Sequence, residues 1–292
     1  MTARAHRRLV PLSCLALIVS LGAVAVGTQA AQKTIFVSVI DDKGKPVTDM
    51  TAADFAIRED NIDREIVSVK KSEQPLAIVL LIDTTTEAQV FIQDIRAGLK
   101  AFVETIAKES PQSQMALWEF GQAAVEIKDF TSDHQEFLKA TARVYPKQRA
   151  ASVLLEALDA TTRALARQKT PRRAIVIVNV EPSKEVSSQQ PQRVLTSLIA
   201  SRSQVWAVSV QKGSLENPAR DIVLNRFVQV GGGRREVVFT DNAVEVLMRD
   251  YASSLAHQYE VTYARPSGTP QIVQVGARRD GVKVLAGIAA PQ

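Results

Sequence analysis

The sequence LAIVLLIDTTTE at residues 76–87 decides the fold class of this 292-residue chain. It consists of an uninterrupted apolar run, Leu76 to Ile82, that ends on Asp83 and three threonines. An apolar run of this length is typical of a strand buried on both faces of a parallel sheet. Sheets of this kind bind ligands beyond the carboxyl ends of their strands, so the polar residues after Ile82 are the first candidates for a functional site.

Strand and helix patterns alternate along the chain after this run. Strands are expected at Met115–Phe120, Val125–Phe130, Ala174–Val178, Val205–Val210 and Val237–Phe239. Helices are expected where apolar residues recur at three- and four-residue steps, as in Phe91, Ile95, Leu99, Phe102 and Ile106. The alternation predicts an α/β fold with a doubly wound, mostly parallel open sheet.

Short strand patterns flank this region on both sides. Those before it are Thr34–Ile40, Asp54–Ile57 and Arg64–Val69, with a turn expected at Glu59–Asn61; those after it are Tyr259–Tyr263, Ile272–Ala277 and Val282–Leu285. Each group is too small to bury a core alone, so we expect the two to pack together as one small, discontinuous β-sandwich-like domain. The predicted division is an N-terminal β module at 31–72, an α/β domain at 73–257 and a C-terminal β segment at 258–292.

The N-terminus has the pattern of a secretory signal peptide. Arg4, Arg7 and Arg8 precede an apolar stretch, and small residues follow as far as Ala31. The pattern predicts a signal peptide over residues 1–30, with an uncleaved membrane anchor as the alternative. The only cysteine, Cys14, lies inside this stretch, so the exported chain would contain no disulfide. We therefore expect a secreted or periplasmic protein of the cell envelope.

Composition and charge exclude several classes of function. Hydrophobic residues make up 46% of the chain and charged residues 23%, which is an ordinary globular balance. Removing the three N-terminal arginines would lower the formal net charge of +5 to about +2, and the remaining basic residues are scattered. We therefore expect no nucleic-acid partner, and no membrane insertion of the mature chain unless the signal peptide stays uncleaved.

The motifs of common enzymes are missing from the sequence. Neither His134 nor His257 has a second histidine or a glutamate at the spacing of a zinc site. No Gly-x-Ser-x-Gly motif supports a hydrolase, although a Ser-His-Asp triad assembled in space stays open. Gly231–Gly233 lacks the Gly-Lys-Ser/Thr that ends a phosphate-binding loop, and is expected to be a flexible connection with a helix C-cap. We expect no enzymatic activity.

The segment IDTTTE at 82–87 resembles the start of a von Willebrand factor A (VWFA) domain. That family has Asp-x-Ser-x-Ser at this point, where oxygens bind a divalent cation at a metal-ion-dependent adhesion site. The stretch DDKGKPVTDMTAADFAIREDN at 41–61 and the end of the chain are similar to the leader and ending of bacterial secreted VWFA-related proteins. The resemblance covers nearly all of the chain after residue 30.

The resemblance implies a metal site with altered residues. Asp83 matches the family's first aspartate, and Thr85 keeps a hydroxyl where the family has serine. Glu87 stands at the second serine, and Ser152 takes the position of the family's threonine. Val180 replaces the second aspartate and supplies no oxygen. We therefore expect a degenerate site and no cofactor, with binding of Mg²⁺ or Ca²⁺ as the alternative.

The function implied is that of an exported, non-enzymatic protein that uses its VWFA-like domain to bind another protein, without a functional metal site. The alternatives are a structural scaffold of the cell envelope that has lost ligand binding, and a metal-dependent adhesion protein. The expected contact residues lie in loops after the strands, and are Thr84, Thr86, Tyr145, Lys147, Arg149, Glu181 and Lys184.

Overall fold

The computed structural model describes residues 31–211, 218–239, 241–266 and 268–291. The strands are β1 (Ala31–Asp41), β2 (Phe55–Glu59), β3 (Ile62–Arg64), β4 (Ile66–Lys71), β5 (Leu76–Ile82), β6 (Gln114–Phe120), β7 (Ala124–Thr131), β8 (Arg172–Glu181), β9 (Gln204–Gln211), β10 (Arg235–Val238), β11 (Tyr259–Arg265), β12 (Val273–Ala277) and β13 (Val282–Leu285). The α-helices are α1 (Ile92–Glu109), α2 (His134–Thr141), α3 (Leu154–Ala166), α4 (Pro191–Ser201), α5 (Pro218–Gly231) and α6 (Asp241–Ala256).

The central sheet has six strands in the order β10-β9-β8-β5-β6-β7. All neighbours are parallel except β7, which forms an antiparallel hairpin with β6. Every residue of β5 is buried, because α1, α2 and α6 cover one face of the sheet and α3, α4 and α5 cover the other. The predicted α/β fold with a mostly parallel, doubly wound sheet is confirmed.

Strand β8 is longer than its apolar pattern indicates. It begins at Arg172, which pairs with Leu76 of β5, and its last three residues continue the parallel ladder with β9. The chain therefore stays extended through Val180 and Glu181. Alternate side chains of a strand point to opposite faces, so this extension fixes the direction of both side chains at the carboxyl edge.

The flanking strands form two small sheets, in the orders β13-β1-β11-β4 and β12-β2-β3. Strand β1 pairs antiparallel with β11 and β13, and β2 pairs antiparallel with β12. Side chains from both sheets, among them Val37, Phe55, Val261 and Val273, share one apolar cluster. Each small sheet thus contains strands from before and after the central sheet. The domain boundaries given above stay a prediction.

The sequence pattern was wrong about Glu59. It ends β2 instead of forming the turn, and its side chain is fully buried, where it accepts hydrogen bonds from Arg265 and from the Tyr263 hydroxyl. Asp60 and Asn61 make the turn, with φ of 46° and 67°. The third strand, expected at 64–69, is found as β4 from Ile66, whereas Arg64 ends β3, which belongs to a different sheet.

The Gly231–Gly233 segment is tightly packed, so the expected flexible connection is wrong. Helix α5 ends at Gly231, and Gly232 follows with φ of +74°. A Cβ on Gly232 would lie 1.8 Å from the carbonyl carbon of Ala286, and one on Gly233 would lie 1.9 Å from the Val205 oxygen. Glycine is required here because two backbone segments approach the chain closely. Among the described residues, no helix is both long and apolar enough to cross a membrane.

Candidate functional site

The side chain of Asp83 lies at the carboxyl edge of the central sheet, directly after β5, and is completely buried. Its Oδ1 accepts hydrogen bonds from the Thr85 amide at 2.9 Å and the Thr85 hydroxyl at 2.6 Å. Its Oδ2 accepts a hydrogen bond from the Val180 amide at 3.0 Å. Both carboxylate oxygens are thus engaged by groups of the chain itself, and they join the loop after β5 to the end of β8.

The hydroxyls of Thr85 and Ser152 also bind other side chains at this edge. The Thr85 hydroxyl lies 2.9 Å from the hydroxyl of Ser183, in the loop that follows β8. The hydroxyl of Ser152 donates a hydrogen bond to Glu185 Oε2 at 2.7 Å, and its amide donates to the Lys184 carbonyl at 2.7 Å. Both residues are buried. The two hydroxyls therefore hold the loop after β8 against its neighbours.

A buried arginine, Arg220 from the first turn of α5, lies among the carboxylates of this edge. Its Nη1 is 3.3 Å from Glu181 Oε1 and 3.7 Å from Asp83 Oδ2, and its Nη2 is 3.3 Å from Glu185 Oε2. Nη1 also donates a hydrogen bond to the Val180 carbonyl at 3.1 Å. The arginine side chain is 1% exposed. We call these four residues, Asp83, Glu181, Glu185 and Arg220, the carboxylate–arginine cluster.

Sequence reasoning missed Arg220, although its position carried a signal. In a parallel α/β sheet, the first turn of a helix that follows a strand lies beside the carboxyl ends of the strands. Helix α5 follows β9 in this way. A charged residue in that turn is therefore placed close to Asp83, although the two are far apart in sequence.

Val180 supplies no side-chain oxygen to the site, as expected, and Glu87, one of the four implied metal ligands, lies apart from the cluster. Val180 points its side chain into the apolar core, where it packs in one cluster with Val178 and Val208, and only its backbone reaches Asp83 and Arg220. Glu87 lies in the short 3-10 helix Thr86–Phe91, and in the described part of the chain no hydrogen bond or ion pair joins it to the cluster. Thus Asp83, Thr85 and Ser152 are brought together, and Glu87 is not.

Burial dominates the electrostatics of the carboxylates. Burial raises the pKa of Asp83, although the Arg220 charge and the hydrogen bonds from Thr85 and Val180 act in the opposite direction. Burial also raises the pKa of Glu181, and the Arg220 guanidinium again opposes the shift. One guanidinium thus stabilises several carboxylates that the fold has removed from water.

The residues present do not fit a divalent cation. Mg²⁺ and Ca²⁺ need several oxygen ligands directed at one empty position. Here both oxygens of Asp83 accept hydrogen bonds from the chain, and the guanidinium of Arg220 lies 3.7 Å from one of them. The described ranges contain no group of three or more His, Cys, Asp or Glu side chains arranged to hold a metal ion. The arrangement fits a guanidinium instead.

Five of the seven expected contact residues are exposed around this cluster. They are Thr86, Tyr145, Lys147, Arg149 and Lys184. Thr84 and Glu181 are buried, so the expectation that they contact a partner is wrong. The Thr84 side chain packs against Gly121, where an added Cβ would lie 2.7 Å from the threonine hydroxyl. Glu181 is buried because β8 extends through it and its carboxylate meets Arg220.

The exposed residues lie on loops that are bound to one another. The Lys147 amide donates a hydrogen bond to the Thr84 carbonyl at 2.8 Å, and the Thr86 hydroxyl donates to the Lys147 carbonyl at 3.2 Å. The ring of Tyr145 lies under the Arg96 guanidinium, with 4.5 Å between the ring centre and the guanidinium carbon. We call Thr86, Tyr145, Lys147, Arg149, Lys184 and the half-exposed Val186 the loop surface.

A family model identifies the class of domain that this fold and edge define. Residues 78–180 match the model of the von Willebrand factor type A domain. The match begins in β5, includes Asp83, Thr85 and Ser152, and ends at Val180 near the end of β8. This region of the chain is therefore assigned to the von Willebrand factor type A domain. A comparison with curated protein sequences gives no match.

Solved structures with a similar fold have very different sequences. A von Willebrand factor type A protein from Catenulispora acidiphila is 9% identical, with a TM-score of 0.50 over 91% of this chain and 74% of that one. Proximal thread matrix protein 1 from the mussel byssus is 12% identical, with a TM-score of 0.54 over 68% of this chain and 50% of that one. The same mussel protein with a zinc-occupied metal-ion-dependent adhesion site is 12% identical, with a TM-score of 0.53 over 70% of this chain and 50% of that one. These similarities concern the fold.

Proposed function

We propose that the chain is an exported, non-enzymatic binding protein whose type A domain contacts another protein through the loop surface, without a metal ion in the contact. Type A domains are generally interaction modules. The observation that carries the proposal is that both oxygens of Asp83 are engaged inside the chain, while exposed side chains surround the same edge of the sheet. The edge can therefore offer side chains to a partner, but it offers no ligand set for a shared metal ion.

The chemistry of the loop surface indicates the kind of partner. Tyr145 is 57% exposed and Val186 is 47% exposed, so both can be buried by a partner. Aromatic side chains of this kind contribute strongly to protein interfaces. Arg149 and Lys184 add positive charge around them, whereas the Lys147 ammonium lies 3.0 Å from the carboxylate of Glu119. A protein surface with acidic residues around an apolar centre complements this arrangement.

Site-specific photo-cross-linking in the exporting cell tests the proposal. A photoreactive phenylalanine analogue at Tyr145 is expected to give a discrete cross-linked protein, and EDTA is expected to leave the yield unchanged. The matched control is the same analogue at Val67, which is 47% exposed on β4, away from the central sheet. Cross-linking that EDTA abolishes and Mg²⁺ restores would support a metal-dependent adhesion protein instead. Equal products from both positions would contradict a specific loop surface.

A further inference from the structure

The carboxylate–arginine cluster contains its own cation. Asp83, Glu181 and Glu185 come from the loop after β5, the end of β8 and the loop after it, and all three lie within 4 Å of the Arg220 guanidinium. Asp83 and Glu181 are buried, and Glu185 is 25% exposed. Carboxylates removed from water in this way need a nearby positive charge, because isolated buried charges are strongly unfavourable.

We propose that the Arg220 guanidinium is the resident cation of this edge and takes the place that a divalent ion holds in a metal-dependent adhesion site. A guanidinium stays protonated and presents five N–H donors in a planar fork, so one group can serve several oxygens. The Val180 carbonyl, which also accepts a hydrogen bond from Nη1, adds an uncharged oxygen to these carboxylates. The inference concerns the interior of the edge, and does not depend on whether the loop surface binds a protein.

The covalent attachment of this cation has a structural consequence. A metal ion exchanges with solvent, whereas Arg220 is part of α5 and stays in the site. The guanidinium therefore joins α5 permanently to the end of β8 and to the loop that presents Lys184 and Val186. The Phe120 ring, with its centre 6.0 Å from the guanidinium carbon, adds an aromatic contact from β6. The loop is thus held in one arrangement whatever the concentration of divalent ions.

Removing the guanidinium should allow the site to bind a divalent cation in its place. In Arg220→Ala, three carboxylates and the Val180 carbonyl would lose the cation that they share, and their side chains would be free to turn toward a metal ion. Carboxylate and carbonyl oxygens are the ligands that hard divalent cations prefer, and water can fill the remaining positions. We therefore expect Arg220→Ala to bind Mn²⁺, and we expect no such binding by the wild-type chain.

The experiment compares thermal unfolding of the wild type, Arg220→Ala and Arg172→Ala, each with and without about 5 mM MnCl₂. Arg172 is the matched control, because its buried side chain donates hydrogen bonds to the carbonyls of Gln74 and Leu255 and forms no ion pair within the described ranges. Both variants should lose stability. Only Arg220→Ala should regain it with Mn²⁺, by about 3 °C or more in Tm. Equal responses of the two variants to Mn²⁺ would overturn the proposal.

A second variant keeps the proposal testable if Arg220→Ala does not fold. Arg220→Met combined with Glu181→Gln removes one positive and one negative charge together. We expect this double variant to unfold at a higher temperature than Arg220→Met alone, because fewer carboxylates lack a counter-ion. Equal or lower stability of the double variant would contradict the role of Arg220 as the counter-ion. A failure of the Tyr145 cross-link in the wild type would overturn the proposed function and leave this result unaffected.

Discussion

At the scale of single residues, Asp83 organises loops instead of offering an open ligand. Its carboxylate accepts hydrogen bonds from Thr85 and Val180, which come from two different strand ends. The short hydrogen bonds to a charged acceptor are the stronger kind in proteins. They use three of the roughly four lone-pair positions of the carboxylate, and the Arg220 guanidinium lies 3.7 Å from Oδ2. Asp83 can therefore stand at the position of the family's first aspartate without binding a metal ion.

Metal titration of a purified chain that begins at Ala31 tests this role of Asp83. We expect isothermal calorimetry to detect no binding of Mg²⁺ or Mn²⁺ at sub-millimolar concentrations, because the site already holds a guanidinium. Asp83→Ala is expected to destabilise the chain by about 3 kcal/mol, since Arg220 loses a buried carboxylate. The control is Asp42→Ala, at an exposed position. Clear metal binding by the wild type that disappears in Asp83→Ala would restore the adhesion-site mechanism.

Val180 is a second residue that has the position of a family metal ligand but cannot bind a metal ion. The resemblance predicts an aspartate here, but the valine side chain lies in the apolar core with Val178 and Val208. We expect Val180→Asp to destabilise the chain by about 3 kcal/mol or more, because it places a carboxylate among aliphatic side chains. Urea unfolding measures the effect, with the equally sized Val180→Thr as the control. Wild-type stability together with new Mg²⁺ binding would show that the residue faces the cluster instead.

At the scale of elements, the strands and helices were largely predictable, because hydrophobic periodicity is a local property of the sequence. The apolar run Leu76–Ile82 became β5 with the same bounds, and the helix with Phe102 at its centre became α1. Asp83 and Thr85 of the site were predictable because they follow one strand, and Ser152 was found through the family resemblance. Arg220 was missed because it belongs to α5, far from Asp83 in the sequence, and no short sequence motif indicates that the two side chains lie close together.

The end of β2 illustrates the same limit. The polar triplet at 59–61 indicates a turn, but Glu59 belongs to the strand because distant partners satisfy it. Arg265 and Tyr263 on β11 donate hydrogen bonds to its carboxylate, and Arg64 lies 3.0 Å away. A buried charge with partners far along the sequence looks like a surface residue when only its neighbours are considered. Tertiary contacts therefore decided this assignment.

The pH dependence of stability should report this buried ion pair. Burial alone would raise the pKa of Glu59, but hydrogen bonds from Arg265 and Tyr263 outweigh it, and the pKa is lowered. A carboxyl whose pKa is lower in the folded state contributes stability above its unfolded pKa of about 4.3, and loses it as the pH falls through the folded value. We expect Glu59→Gln to cost about 3 kcal/mol at pH 7, and less below about pH 4.

Urea unfolding of the wild type and Glu59→Gln between pH 3 and pH 7 measures this difference. Glu65→Gln is a suitable control, because Glu65 is exposed and forms no ion pair in the described part of the chain. A difference in the free energy of unfolding that stays constant down to pH 3 would contradict a lowered pKa for Glu59.

At the scale of the whole molecule, the strand at the start of the described chain pairs with strands near its end. Ala31 at the start of β1 pairs with Arg265 of β11, and Asp41 at its end pairs with Val282 of β13. The small sheets also bind the central domain, where Lys45 Nζ lies 2.6 Å from Asp250 Oδ1. Strands far apart in sequence must therefore meet before either small sheet can form, which local patterns do not encode.

The start of β1 at Ala31 is compatible with the cleavage site expected for the signal peptide. We predict cleavage near Ala30 or Ala31, where small residues follow the apolar stretch. Cleavage after Ala30 would leave the whole of β1, including the Ala31 pair with Arg265. N-terminal sequencing of periplasmic or secreted material identifies the cut. The double variant Ala30→Phe/Ala31→Phe should block cleavage and keep the chain in the membrane fraction, whereas Val26→Leu should be processed normally. An intact wild-type chain, Met1 to Gln292, in the membrane fraction would show that the apolar stretch is a retained anchor.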